Sequence, residues 1–151
     1  MIAPALLFAL LMQTAPVQWA VSAPAAGSAA KAGGKLAVTV TATIAPGWHL
    51  YSLKKMEGGP IATTIVMPEG QPFRLAGAID ASAPLSKFDD TFQMDVESYE
   101  GGAEFVLPLA VAKDAKPGAA PLAVHVRYQV CDDKQCLPPR TVKLELQLAI
   151  R

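Results

Sequence analysis

The chain has 151 residues, with 13 Lys and Arg against 13 Asp and Glu, so its formal net charge is zero. That balance suggests neither nucleic acid nor an anionic membrane surface as a partner. A single domain of this length buries roughly two-thirds of its unfolded surface, so its core does not depend on a disulfide.

The opening run, MIAPALLFALLMQTAP, is apolar but too short to span a bilayer. It reads as the hydrophobic part of a signal peptide, with small residues around Thr14 and Ala15. Residues 1–15 are therefore expected to be an export leader, and residues 16–151 the mature domain. No Lys or Arg precedes the run, and Gln13 departs from the small residue usual three before a cut. A buried first strand or a misplaced start are the competing readings. The small, polar segment WAVSAPAAGSAAKAGG that follows suits the beginning of an exported chain. No later segment is long and apolar enough for a membrane crossing, so no stable insertion of the mature chain is expected. In an exported protein, cysteines oxidise and stay oxidised.

Beyond the leader, Pro and Gly punctuate the chain too often for long helices, and alternation is the dominant signal. In KLAVTVTATI, Leu36, Val38, Val40, Ala42 and Ile44 share one face, and Thr39, Thr41 and Thr43 the other. In LAVHVRYQV, Leu122, Val124, Val126, Tyr128 and Val130 oppose His125, Arg127 and Gln129. In TVKLELQLAI, Val142, Leu144, Leu146, Leu148 and Ile150 alternate with Lys143, Glu145 and Gln147. Such patterns mark half-buried strands of antiparallel sheets. Weaker strands are expected at Val17–Val21, Trp48–Leu53, Ile61–Met67, Phe73–Ala78, Met94–Tyr99 and Ala103–Ala112. Turn clusters such as Pro46-Gly47, Pro68-Glu69-Gly70 and Gly101-Gly102 separate them. Eight or nine short strands so spaced predict an all-β fold, an immunoglobulin-like β-sandwich of antiparallel strands. Asp80–Gln93 lacks clear periodicity and is expected to be a loop, and loops of that length are often functional.

Within PGWHLYSL, alternation sets Trp48 and Leu50 toward the core and His49 and Tyr51 on the opposite face. Those two are either solvated edge residues or the lining of a site. In KFDDTF, Phe88 and Phe92 flank Asp89 and Asp90. Here either one Phe anchors the loop, or an apolar ring acts as a lid over a reactive group.

The only cysteines, Cys131 and Cys136, fall in RYQVCDDKQCLPPR. If LAVHVRYQV points its apolar residues inward, parity turns Cys131 to the other face, with Gln129 and Arg127. The structural disulfide of immunoglobulin domains instead crosses the core between residues distant in sequence. A four-residue hairpin loop sets the cysteines opposite each other, at about 4.5–5.5 Å between Cα atoms, which suits a disulfide. So short a ring stabilises by ~2 kcal/mol, against roughly 4–5 kcal/mol for a ring of a hundred residues. The position therefore favours a local, reversible bond, although local structural disulfides at hairpin ends exist. Asp132 and Asp133 disfavour a thiolate while Lys134, Arg140 and Arg127 favour one. Pro138 and Pro139 remove two backbone donors beside Cys136, which suits either partner docking or protection of a strand edge. His125 cannot share a zinc ion with the cysteines, because it lies roughly 20 Å from Cys131 along an extended strand at ~3.3 Å per residue. His49 alone leaves at most three ligands, so no metal is expected, and no cofactor is implied.

Together, WHLYS after a Pro-Gly turn, FDDTF in mid-chain and YQVCDDKQCLPPR near the end resemble the N-terminal periplasmic domain of the thiol:disulfide interchange protein DsbD, the disulfide bond corrector family. The resemblance runs from about Val17 to the C-terminus. It implies an immunoglobulin-like fold with a redox-active cysteine pair in a hairpin, in a periplasmic protein-disulfide reductase component. It further implies thioredoxin-fold partners, with uses in disulfide correction and cytochrome c maturation. By position, Cys136 matches the cysteine that forms the mixed disulfide and Cys131 the one that resolves it. His49 and Tyr51 match aromatic positions beside the pair, with His49 standing where a Tyr is expected. Asp90 and Phe92 match an acidic residue and the Phe of a cap loop, while Thr91 replaces an expected acid. The cysteines are one residue closer than in the best-known member. The family's membrane segments and thioredoxin-like domain have no counterpart in this sequence, so a membrane-embedded electron donor is expected in trans. The alternative is a non-catalytic immunoglobulin-like binding module with a structural disulfide.

Overall fold

A computed structural model of the chain describes residues 15–24 and 29–151. The leader expected over residues 1–15 lies outside the described residues, apart from its last position. Among the described residues there are twelve strands and no helix, and so no helix long and apolar enough to cross a membrane.

The strands form three antiparallel sheets. In the first, β1 (Val17–Ser22) pairs with β2 (Lys35–Ile44), β2 with β9 (Gly102–Val111), and β9 with β5 (Phe73–Leu75) and β6 (Asp80–Ala81). In the second, β10 (Gly118–Tyr128) lies between β12 (Arg140–Ile150) and β4 (Thr64–Val66). The third has the order β11 (Val130–Cys131), β3 (His49–Tyr51), β8 (Met94–Tyr99) and β7 (Leu85–Asp89).

Alternating faces build the core, those of β2, β10 and β12 as read from the sequence. Val38, Val40 and Ala42 of β2 and Phe105, Leu107 and Leu109 of β9 are buried in one cluster with Leu122, Val124 and Val126 of β10. Leu148 and Ile150 of β12 join it, as do Leu50, Tyr99 and Val130 of the third sheet. Trp48 packs on this core, and Trp19 stacks with Phe105 and meets Tyr128 at a tilt, ring centroids 6.1 and 5.2 Å apart. Burial of one face of each strand against the others is what makes a sandwich of these sheets.

Two expectations are corrected. Asp80–Gln93 is not a loop: it contains β6 and β7, and β7 pairs with β8 from Leu85↔Ser98 to Asp89↔Met94. No alternation marked β7 because both its faces meet solvent at a sheet edge, with Leu85 46% and Phe88 60% exposed. Nor is Leu122–Val130 a single strand, since β10 ends at Tyr128 and β11 starts at Val130 in another sheet. The count exceeds eight or nine because five of the strands, β3, β4, β5, β6 and β11, are only two or three residues long.

This division of labour is testable by chemical denaturation. Leu107→Ala, at a fully buried position, should cost about 2–5 kcal/mol. Leu85→Ala, on the exposed edge strand, should stay within about 0.5 kcal/mol of the parent.

Candidate functional site

The hairpin that holds the cysteines is built by local hydrogen bonds. Leu137 N donates to Val130 O at 3.0 Å, and Asp132 N donates to Gln135 O at 2.9 Å. Cys131 and Cys136 lie between these rungs as a pair not hydrogen-bonded to each other, the closer type in an antiparallel ladder. Their Cα atoms are 4.0 Å apart, nearer than the spacing expected. The loop tip is ordered by Asp132, whose Oδ1 accepts from Lys134 N at 2.8 Å and Gln135 N at 2.7 Å. Those two bonds, Lys134's the larger cause, hold the Asp132 carboxyl below its ordinary range.

The cysteines are joined in a disulfide, S–S 2.01 Å, and their settings differ. Cys136 is exposed, whereas Cys131 is 4% exposed. Parity is right about the face: Val130 belongs to the main core and Cys131 does not. At Cys131 that face is covered, however. Cys131 belongs to a second apolar cluster with Tyr51 and Val96, and Phe92, Met94 and Met56 pack on it. The cover comes from the turn between β7 and β8, which is distant in sequence from the cysteines and so left no trace in their local pattern.

Asp89 shapes that turn. Its Oδ1 accepts from Thr91 N at 2.8 Å and Phe92 N at 3.2 Å, which fixes the entry to the turn. Gln93 closes it in the left-handed region, φ 55°, with its Nε2 donating to Asp90 O at 2.6 Å. The Phe92 ring meets Tyr51 edge-on, centroids 6.3 Å apart. Of the two phenylalanines, Phe92 is thus the anchor and Phe88 is exposed. Phe92 packs on the cluster that contains Cys131, whereas Cys136 is exposed. Burial, and secondarily the negative charge of Asp89, push the Tyr51 hydroxyl up to about 12.

His49, Tyr51, Asp90, Cys131 and Cys136 line one cleft of about 330 Å³, while Phe92 packs on the apolar cluster that forms part of its wall. His49 is the ladder partner of Cys131. Its Nδ1 lies 3.1 Å from Glu100 Oε1 and its Nε2 3.7 Å from Asp133 Oδ1. Glu100 also pairs with Lys87, at 3.2 Å. His125 stands on β10, in a different sheet from Cys131. Sequence reasoning gave no role to Val96, Lys87 or Glu100, none to Asp89 separately from Asp90, and to Asp133 only a charge beside the thiols. Asp89 was detectable, since an Asp two and three residues before the N–H groups of a tight turn is a recognised turn pattern. Val96 was detectable from the alternation Met94, Val96, Ser98 along β8.

The chain matches, over residues 17–148, the family model described as "Thiol:disulfide interchange protein DsbD, N-terminal". No curated protein sequence matches it. Among solved structures it is similar to the DsbD N-terminal domain of Neisseria meningitidis in the reduced form, at 21% identity and TM-score 0.54. That match covers 74% of this chain and 77% of the other. A complex between the DsbD N-terminal and PilB N-terminal domains of the same organism matches at 20% identity and TM-score 0.50, covering 72% and 73%. The N-terminal periplasmic domain of ScsB from Proteus mirabilis matches at 16% identity and TM-score 0.56, covering 92% of this chain and 48% of that one. At these identities the likeness is one of fold, and it agrees with the immunoglobulin-like sandwich read from the sequence.

Two measurements probe the covered half of the site. A Tyr51 that holds its proton to about pH 12 when folded, against about 10 unfolded, stabilises the fold fully below pH 10. That contribution should be lost as pH rises from about 10 to about 12. Ultraviolet phenol titration of Asp89→Asn should show the Tyr51 midpoint lowered but still above 10, because burial is the larger cause. Phe92→Ala should open Cys131 and speed disulfide reduction by dithiothreitol several-fold, followed as the rate of thiol release.

Proposed function

The chain belongs to the family of the DsbD N-terminal domain, and on that premise we propose that it relays reducing equivalents by thiol–disulfide exchange through Cys131 and Cys136. The observation that carries this reading is the asymmetry of the bond. One sulfur belongs to an exposed residue, and the other is packed beneath Tyr51, Val96 and Phe92. Attack on a disulfide depends on access as well as on thiolate character, so an incoming partner meets Cys136 first.

In the reduced protein, the Cys136 thiolate attacks one sulfur of a partner disulfide. The partner S–S bond breaks, a mixed disulfide forms, and a partner thiolate leaves. The Cys131 thiolate then attacks Cys136 Sγ and releases the second partner thiolate. Two electrons have passed to the partner, and the Cys131–Cys136 bond is restored. The reverse sequence with a dithiol donor recharges the pair. The short ring suits this cycle, since opening it costs only ~2 kcal/mol of chain constraint, and the main core includes neither cysteine.

The partners on this reading are thioredoxin-fold proteins, with disulfide correction or cytochrome c maturation as the uses, and a membrane-embedded donor acts in trans. Support for a protein partner comes from the Neisseria DsbD N-terminal domain, which has been solved in complex with the PilB N-terminal domain. Residues 1–15 serve as the export leader, residues 16–151 as the domain, and the periplasm is the working compartment. The ScsB relative is itself described as a periplasmic domain. His49, Tyr51, Asp90 and Phe92 line or cap the site, with Phe92 limiting access to Cys131.

A Cys131→Ser chain, reduced and mixed with periplasmic extract, should accumulate a mixed disulfide through Cys136 with a thioredoxin-fold protein. Cys136→Ser should yield little or none. The potential of the wild-type pair should lie in the range of thioredoxin-like proteins. A potential below about −300 mV, with no adduct from an accessible Cys136, would instead mark a structural disulfide in a binding module.

A further inference from the structure

His49 occupies an unusual electrostatic position. It faces Cys131 across the β3–β11 ladder, and its side chain is 25% exposed. One ring nitrogen is directed at Glu100, just past the end of β8, and the other at Asp133, within the loop that joins the cysteines. The imidazole therefore spans from the sheet to the loop that carries Cys136. Around it, the cleft presents Asp89 at the end of β7, Asp90 in the turn, and Asp132 and Asp133 in the cysteine loop. Lys87 of β7 is the one lysine lining the cleft, and it is engaged with Glu100. Tyr51 stays neutral far above physiological pH. Of the cleft-lining side chains, histidine alone is of a type that changes charge between about pH 5 and 8.

We propose that His49 is a positioning residue for the exchange, its protonated ring tying Asp133 and the Cys136 loop to the sheet and offsetting the carboxylates that face the Cys136 thiolate. The proposal rests on the exchange reading of the pair. When protonated, both ring nitrogens carry hydrogens and serve Glu100 and Asp133 together. When neutral, the ring has one N–H. It then serves one carboxylate and turns a lone pair toward the other, so the tie to the loop is lost just as the local positive charge disappears. Both changes make the Cys136 thiol harder to ionise. The Asp133 contact is a surface one, 3.7 Å long with that side chain 96% exposed, so the effect is modest. Exposed pairs of this kind correspond to rate changes of about two- to fivefold.

The test is the pH dependence of Cys136 alkylation by iodoacetamide in the reduced full chain, with products resolved by mass spectrometry. Wild type should give two inflections, one that depends on His49 and one from the thiol itself. His49→Gln should give a single thiol titration, react about two- to fivefold more slowly at the acidic end of the profile, and converge with wild type at high pH. Asp133→Asn should keep Cys136 reactive and flatten the lower inflection. A single inflection in wild type, or a lower inflection that survives in His49→Gln, overturns the proposal. A full lower inflection in Asp133→Asn overturns the part that runs through the loop. Alkylation needs no protein partner, so failure of the exchange reading would appear separately, as the missing mixed disulfide of Cys131→Ser.

Discussion

The site depends on a change of sheet at Gln129. The chain leaves β10 after Tyr128 and pairs with β3 from Val130, so one extended segment contributes to two sheets. The Gln129 side chain holds the corner: its Oε1 accepts from Ile61 N at 3.2 Å and its Nε2 donates to Leu137 O at 3.4 Å. Sandwiches commonly turn corners where a strand passes between sheets in this way. The pleat continues through the switch, and Val130 enters the main core while Cys131 emerges on the far face of the third sheet. Had the strand stayed with β12 and β4, Cys131 could not lie opposite His49 and beside Tyr51. The redox pair exists at this place because the chain changes partners at Gln129, two residues before Cys131.

How legible each part was follows from where its determinants lie. The faces of β2, β10 and β12 could be read directly, because a half-buried strand writes its burial into every second residue. The parity of Cys131 was legible for the same reason. Its burial was not, since the cover arrives from Phe92 and Met94, more than thirty residues away in sequence. β7 was invisible because an edge strand wet on both faces has no alternation to display. The corner at Gln129 was invisible for the opposite reason: alternation runs through it unbroken, and only the pairing partners change. The cleft's electrostatics were half legible. The acidic residues stood in the sequence, but Glu100 and Asp133 flank one imidazole only once β3, β8 and the cysteine loop are brought together.

A bond that must be both stored and broken faces conflicting demands, and the structure separates them by residue. Burying both sulfurs would protect the disulfide and also exclude the partner, while exposing both would leave either open to any small thiol. Here Cys131 shares an apolar cluster with Tyr51 and Val96, and Cys136 sits on a loop ordered by Asp132 and flanked by exposed prolines. The two clusters are also distinct. Leu50, Tyr99 and Val130 tie the third sheet to the main core, whereas Tyr51, Val96 and Cys131 occupy its opposite face. The disulfide borders the smaller cluster, and the large core that holds the sheets together includes neither cysteine. The same sheet therefore serves as a wall of the fold on one side and as the floor of a reactive cleft on the other. That arrangement lets a covalent bond turn over repeatedly without asking the fold to do so.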